Sequence, residues 1–261
     1  MSGESTASRH EAIAARARAY LDGAFRELPA GRRLGPRLTG AAVLVLGAHP
    51  LGLAGGRTPL HVEIVLTPQE WGRLHTEAGA SELGFFDPRP PSPALVRLRG
   101  SEWLRDRLAH PAELWLRQRA AIVQDPAGLV AAAVPAALAG FRSRLETLVA
   151  DRYREFRDGF ESADAALEGL GRRVLLGGAV EAALALPLLC RAEPYPPPEY
   201  LVWHLGRVHA EGERIAGLCA RAAAGAAVDR DACATLRRII EEAMDAAGYG
   251  ESLVRAYRCW E

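Results

Sequence analysis

Apolar positions near the start of the chain recur at helical spacing. Ile13, Ala17, Tyr20, Leu21 and Phe25 fall on one face, which predicts a helix over about Ser8 to Glu27. The period then shortens to two. "AAVLVLG" reads as a buried strand and "LHVEIVLT" as a second, because both are short, β-branched and bounded by Gly or Pro. Alternation in the second strand puts His61, Glu63 and Val65 on one face and Val62, Ile64 and Leu66 on the other. Thr67 followed by Pro68 is an N-cap and a first helical position, so "TPQEWGRLH" opens a short helix. "FFDPRPPSP" breaks the chain, and "ALVRLRG" is a third strand with Val96 and Leu98 on one face and Leu95, Arg97 and Arg99 on the other. "SEWLRDRLAHPAELWLRQRA" gives two helical segments divided at Pro111, and "AIVQDP" a fourth strand.

From Pro126 onward strand spacing disappears, and helical spacing continues to the end, broken at "AEPYPPPEY", around "GAAVDRD" and at "GYG". The expected architecture is an α/β domain over residues 1–125 with a small mixed sheet, then an all-helical domain of four or five helices over residues 126–261. A cleft between the two is the default site.

Composition narrows the partners. The 261 residues are 49% hydrophobic and 25% charged, which suits two ordinary domains. Lys+Arg and Asp+Glu both number 32, so net charge draws the chain neither to nucleic acid nor to an acidic membrane. A small molecule or nucleotide is the expected partner, with the oligomeric state left open. All the basic residues counted there are Arg, and the chain has neither Lys nor Asn, which excludes Schiff-base chemistry and any Lys clamp on phosphate. The accompanying Ala, Gly, Leu and Pro bias fits a bacterial genome rich in G and C.

Cys190, Cys219, Cys233 and Cys259 show no C-x-x-C spacing, and the first three lie in helical patterns, where a lone thiol packs as a small hydrophobe. "MSGESTASRHEA" has no apolar core of a signal peptide, and the longest apolar run, Val174 to Cys190, contains Glu181 and Pro187. These features imply a reduced, cytoplasmic protein outside the membrane.

Three stretches, together with the layout, resemble the nucleotidyltransferase superfamily, in particular kanamycin-nucleotidyltransferase-like proteins with a helical C-terminal domain. "VLGAHPLGLAGGRTPLHVEIVL" is similar to the family's strand ending in Gly-Ser, a loop, and a strand bearing Asp-x-Asp. "PAELWLRQRAAIVQDPAG" resembles the segment after the third acidic strand, and "EPYPPPEYLVWHL" the Tyr/Pro-rich helix start of the C-terminal domain. The resemblance implies that the Gly-Ser turn holds nucleotide phosphates while three strand carboxylates bind the divalent metals that activate the acceptor. Carboxylates two residues apart on one strand share a face, and a third from a neighbouring strand completes an oxygen cage for Mg²⁺.

This sequence departs from that pattern at every catalytic position. Gly47 is kept, but Ala48 stands in place of Ser, and His61 and Glu63 take the places of the paired Asp residues. Arg97 or Arg99 replaces the third carboxylate, and Glu199 and Tyr200 stand about where relatives have Lys and Trp. One Glu, one imidazole and one guanidinium make a poor Mg²⁺ site. An Arg facing Glu63 would supply the metal's positive charge, and a bidentate Glu–Arg pair beside His61 would hold a carboxylate or phosphate without metal.

The site expected from the sequence therefore assigns His61 and Glu63 as acid/base residues, and Gly47, Ala48, His49, Arg97, Arg99, Tyr200 and His204 as ligand-binding residues, with neither metal nor cofactor. The implied function is a nucleotidyltransferase-fold protein that binds a small molecule or nucleotide in the interdomain cleft. It would be either a metal-independent enzyme of natural-product biosynthesis or a non-catalytic pseudoenzyme. The alternative is an active nucleotidyltransferase using a nucleoside triphosphate with Mg²⁺ on an aminoglycoside-like or other hydroxylated acceptor. That would require Glu63 and a further acid, for which Glu70, Glu77, Asp87 and Glu102 are nearby but off the strand position. Two plainer readings also stand: His61 and Glu63 as a solvated strand face, with His49 solvated in its loop, or a His49/His61/Glu63 zinc site. "LAGG" lacks the Lys of a P-loop, and His204 and His209, five residues apart, do not share a helix face. Trp203 is expected to pack in a core, and "DRYREFRDGF" to form a charged helix face.

Overall fold

A computed structural model describes residues 5–78, 83–89, 93–165, 170–224, 228–250 and 253. The Ser5 side chain caps the first helix, α1 (Thr6–Asp22), by accepting from the Ser8 amide at 3.2 Å. Gly23 interrupts what spacing alone extends to Glu27, so a separate turn, α2 (Ala24–Glu27), follows. Phe25 nevertheless stays on the apolar face with Ile13, Ala17 and Leu21, and all four are buried. Pro29 then starts α3 (Pro29–Leu34), and a 3₁₀ segment (Gly35–Gly40) leads into the sheet.

The sheet is built from β1 (Ala42–Leu46), β2 (Leu60–Leu66), β3 (Leu83–Asp87), β4 (Ala94–Gly100) and β5 (Ala121–Gln124), in the order β3-β4-β2-β1-β5. Among the described strands only the β2–β4 pairing is parallel. One short turn, α4 (Ala48–Leu51), follows β1, and α5 (Pro68–Ala78) follows β2. Thr67 caps α5 as expected, with Glu70 in a reciprocal contact: the Glu70 amide donates to Thr67 Oγ1 at 3.3 Å, and Oγ1 donates to Glu70 Oε2 at 3.0 Å.

The strand β3 lies where the sequence suggested only a break. It is short, sits at a sheet edge and is followed at once by Pro88, so its strand character depends on pairing with β4. "ALVRLRG" is thus the fourth strand and "AIVQ" the fifth. Helices α6 (Ser101–Leu108) and α7 (Pro111–Gln118) split at Pro111, as the sequence indicates.

The two faces of β2 part as period-two alternation requires. Val62, Ile64 and Leu66 join Val43, Val45 and Val96 in the core shared with α1 and α2. The opposite face carries His61, Glu63 and Val65 beside Leu95, Arg97 and Arg99, and α6 packs on β2 and β4. That second face is a covered layer, not an open edge.

The chain divides into two compact units, residues 1–139 and 140–261. The division falls inside α8 (Leu129–Ser143), later than the point at which strand spacing ends; Asp125 caps this helix by accepting from the amides of Leu129, Val130 and Ala131.

Within the second unit the described residues form five further helices: α9 (Leu145–Ala165), α10 (Leu170–Cys190), α11 (Pro198–Val208), α12 (Gly212–Ala224) and α13 (Arg230–Ala246). The apolar helix α10 packs against the other four and buries Ala182 to Leu189. Among the described helices it alone is long and apolar enough to cross a membrane, and 56% of its apolar window is buried inside the protein. Cys190, Cys219 and Cys233 form no disulfide among the described residues, and burial pushes Cys190 and Cys219 up to about 12. Cys259 lies outside the described residues. "DRYREFRDGF" is more than a charged face: Tyr153, Phe156, Arg157 and Phe160 from it are buried.

Candidate functional site

Glu63 is only 2% exposed, and its carboxylate meets a guanidinium from the covering layer. Arg117 of α7 donates from Nε to Oε1 at 3.0 Å and from Nη2 to Oε2 at 2.8 Å. Its remaining nitrogen, Nη1, donates to the Glu113 carbonyl at 3.2 Å and to the Glu113 carboxylate. The fork is thereby filled on every side. Burial acts to raise the Glu63 pKa, and the Arg117 charge and hydrogen bonds oppose it. The net direction is upward, because burial outweighs the Arg117 charge and its two hydrogen bonds.

This corrects the expectation that Arg97 or Arg99 pairs with Glu63. Arg97 is indeed the register partner of Glu63 across the parallel β2–β4 pair. Neighbouring side chains on one sheet face, however, stand side by side and roughly perpendicular to the sheet, whereas a side chain from a covering helix meets a carboxylate end-on. End-on approach allows the two parallel hydrogen bonds of a guanidinium–carboxylate fork.

The cations of β4 find other settings. Arg99 is buried, with its guanidinium carbon 4.1 Å from the ring centre of Trp103 on α6. Arg107 and Arg117 approach the same ring at 5.5 and 5.6 Å. Arg97 is half-buried, and its guanidinium makes neither ion pair nor hydrogen bond with the described residues. His61, beside it, is half-buried, and its Nε2 is buried without a hydrogen-bond partner among the described residues. Burial first, then the charges of Arg97, Arg117 and Arg99, push His61 down to about 4. Around His61, Arg97, Arg99 and Arg117 outnumber the carboxylates of Glu63 and Glu113.

Such a set suits an anion and repels a divalent cation. A Mg²⁺ ion would have to take Glu63 from Arg117 and then sit among guanidinium groups. Among the described residues no three His, Cys, Asp or Glu side chains come together as metal ligands. The other acids considered have separate roles: Glu70 caps α5, Asp87 is bound by Tyr20 and Arg89, and Glu102 is exposed on α6. The Glu77 side chain lies outside what is described.

The turn after β1 lies at the His61 end of the sheet, because Leu46 is the register partner of His61. Gly47 holds φ 77°, ψ −140°, a backbone state that L side chains rarely adopt, which accounts for Gly at this position. His49 is neither solvated nor aimed at Glu63. It is 8% exposed, and Nε2–H donates to the Thr58 carbonyl at 3.1 Å, tying the turn to the Gly-rich loop. That bond commits Nε2 and leaves only Nδ1 for a metal, and burial lowers the His49 pKa.

The structure thus gathers His61, Glu63, Arg97 and Arg99 on one sheet face, with Gly47, Ala48 and His49 at its end. Tyr200 and His204 lie on α11 of the second unit, where His204 is buried and Tyr200 and Trp203 are half-buried, with Arg207 5.2 Å from the Trp203 ring centre. Three residues of the site were missed from sequence: Arg117, Glu113 and Trp103. Glu113 and Arg117 look like an ordinary surface pair one turn apart. The overlooked signal is that Arg117 lies three residues after Leu114, on the apolar stripe of α7.

No family model matches the sequence, and no curated protein matches it. Among solved structures, the chain is similar to a nucleotidyltransferase-like protein from Exiguobacterium sibiricum 255-15. The identity is 9%, the match covers 82% of this chain and 72% of that one, and the TM-score is 0.43.

Proposed function

We propose that this chain is a nucleotidyltransferase-like protein in which an internal Glu63–Arg117 pair has replaced the metal-binding carboxylates. In this reading it binds a small anionic molecule, a nucleotide or another phosphate or carboxylate, on Arg97 and His61 without metal-dependent transfer. The observation that carries it is the occupancy of both Glu63 oxygens by a guanidinium at 2% exposure. A carboxylate with both oxygens held by a guanidinium at this depth does not reach a substrate, which favours a binding role over acid/base catalysis. His61, pushed down to about 4, is a neutral hydrogen-bonding group at pH 7 and not a poised acid. Cysteines outside disulfides fit a reduced, cytoplasmic setting.

Calorimetric titration with ATP, CTP, GTP and UTP, with and without Mg²⁺, tests the reading. Binding should be independent of Mg²⁺, and Arg97→Ala should weaken it by about tenfold or more, the worth of one charged hydrogen bond. Tight, Mg²⁺-dependent binding with release of pyrophosphate would instead mark an active transferase and overturn the proposal.

A further inference from the structure

The second unit contains a groove of about 610 Å³ between α9 and α13, within the size range of small-molecule sites. Its apolar floor is Phe156 and Phe160, whose rings meet edge-on at 5.7 Å. Charged side chains wall it, and nearly all are matched in pairs four residues apart. Arg157 meets Glu161 at 3.3 Å, Arg237 meets Glu241 at 2.8 Å, and Arg238 meets Glu242 at 2.6 Å. Asp245 is the exception: it lines the groove and makes no ion pair with the described residues. Its carboxylate lies against Gly250, where an added Cβ would fall 1.7 Å from Asp245 Oδ1. From Cys233 to Asp245 the lining follows α13 for about 18 Å at a helical rise of 1.5 Å per residue.

We infer that this groove is a second small-molecule site, for an elongated monocation with an aryl or alkyl body. The body lies on Phe156 and Phe160, and the ammonium or guanidinium end pairs with Asp245. Because the other wall charges among the described residues cancel one another, the Asp245 carboxylate decides the sign of the ligand. The inference concerns the second unit alone and stands apart from the reading of the first.

Full-length protein titrated calorimetrically with 6-phenylhexylamine and with 6-phenylhexanoic acid tests the assignment. The amine should bind, and the acid should bind at least about tenfold more weakly. Asp245→Asn, at an exposed position that leaves folding intact by circular dichroism, should remove most of that difference. Arg97→Ala should leave amine binding unchanged, so failure of the anion site cannot be mistaken for failure of this one. Equal affinity for amine and acid, an Asp245→Asn variant that binds the amine as the parent does, or no amine binding at millimolar concentration would each overturn the proposal.

Discussion

Arg117 and Glu63 form a buried fork, with N–O distances of 3.0 and 2.8 Å, although the strand neighbour of Glu63 in register is Arg97. The arrangement ties α7 to the centre of the sheet through two charge-assisted hydrogen bonds. It also settles where the positive charge next to Glu63 comes from. That charge comes from a helix, and the register-paired Arg97 makes neither ion pair nor hydrogen bond with the described residues.

The three participants should respond differently to truncation. Arg117→Ala leaves a carboxylate buried without its partner and should cost roughly 3–5 kcal/mol in urea unfolding. Glu63→Gln keeps one acceptor for Arg117, which also retains Glu113, and should cost about 1–3 kcal/mol. Arg97→Ala should cost under about 1 kcal/mol. An Arg97→Ala variant as unstable as Arg117→Ala would show that the pairing is misassigned.

His61 gives stability a pH dependence whose sign follows from its lowered pKa. The folded state holds the imidazole neutral to about 4, while the unfolded state takes a proton near 6.5. The contribution is therefore complete above pH 6.5 and is lost as pH falls towards 4, by roughly 2–3 kcal/mol for this half-buried group. Glu63, whose pKa burial raises, acts in the opposite sense in acid. Comparison with His61→Gln isolates the His term, since Glu63 is common to both proteins. The variant should lose less stability than the parent between pH 7 and 5; parallel curves would mean that His61 is solvated and titrates normally.

Local periodicity carried the strand faces and helix breaks, because both are properties of adjacent residues. Val62, Ile64 and Leu66 had to share a face opposite His61 and Glu63, and Pro111 had to divide α6 from α7. What escaped depended on distant partners. The strand β3 forms because β4 lies beside it, and Arg117 is buried because α7 closes over β2. Arg97 misled the reading for the same reason: register gives adjacency in a sheet, but the direction of a long side chain is set by what covers that sheet.

The turn after β1 separates backbone need from side-chain chemistry. Gly47→Ala forces an L residue to φ 77°, ψ −140° and should cost about 1–3 kcal/mol. Ala48→Ser next to it should change stability by less than about 0.5 kcal/mol. It should also fail to create Mg²⁺-dependent nucleotide binding, since Glu63 stays in the Arg117 fork. Calorimetry on Ala48→Ser, with and without Mg²⁺, checks the second point, and a new Mg²⁺ requirement would count against the locked pair.

Two glycines in the second unit should respond with opposite signs. Gly159 of α9 faces α10 so closely that a Cβ there would lie 2.8 Å from the Ala179 Cβ and 3.2 Å from the Leu175 carbonyl oxygen. Neither neighbour is a flexible side-chain tip, so accommodation requires the helices to part. Gly159→Val should lower stability by roughly 1–3 kcal/mol through overpacking. Gly177 of α10 is exposed, and nothing lies within 4 Å of an added Cβ. Gly177→Ala should therefore raise stability by about 0.5–1 kcal/mol through helix propensity alone. Thermal unfolding of the two variants measures both effects. A Gly159→Val protein as stable as the parent would mean that α9 and α10 do not approach as described. Because α10 packs against each of the other four helices, such a result would remove the basis for the groove between α9 and α13 as well.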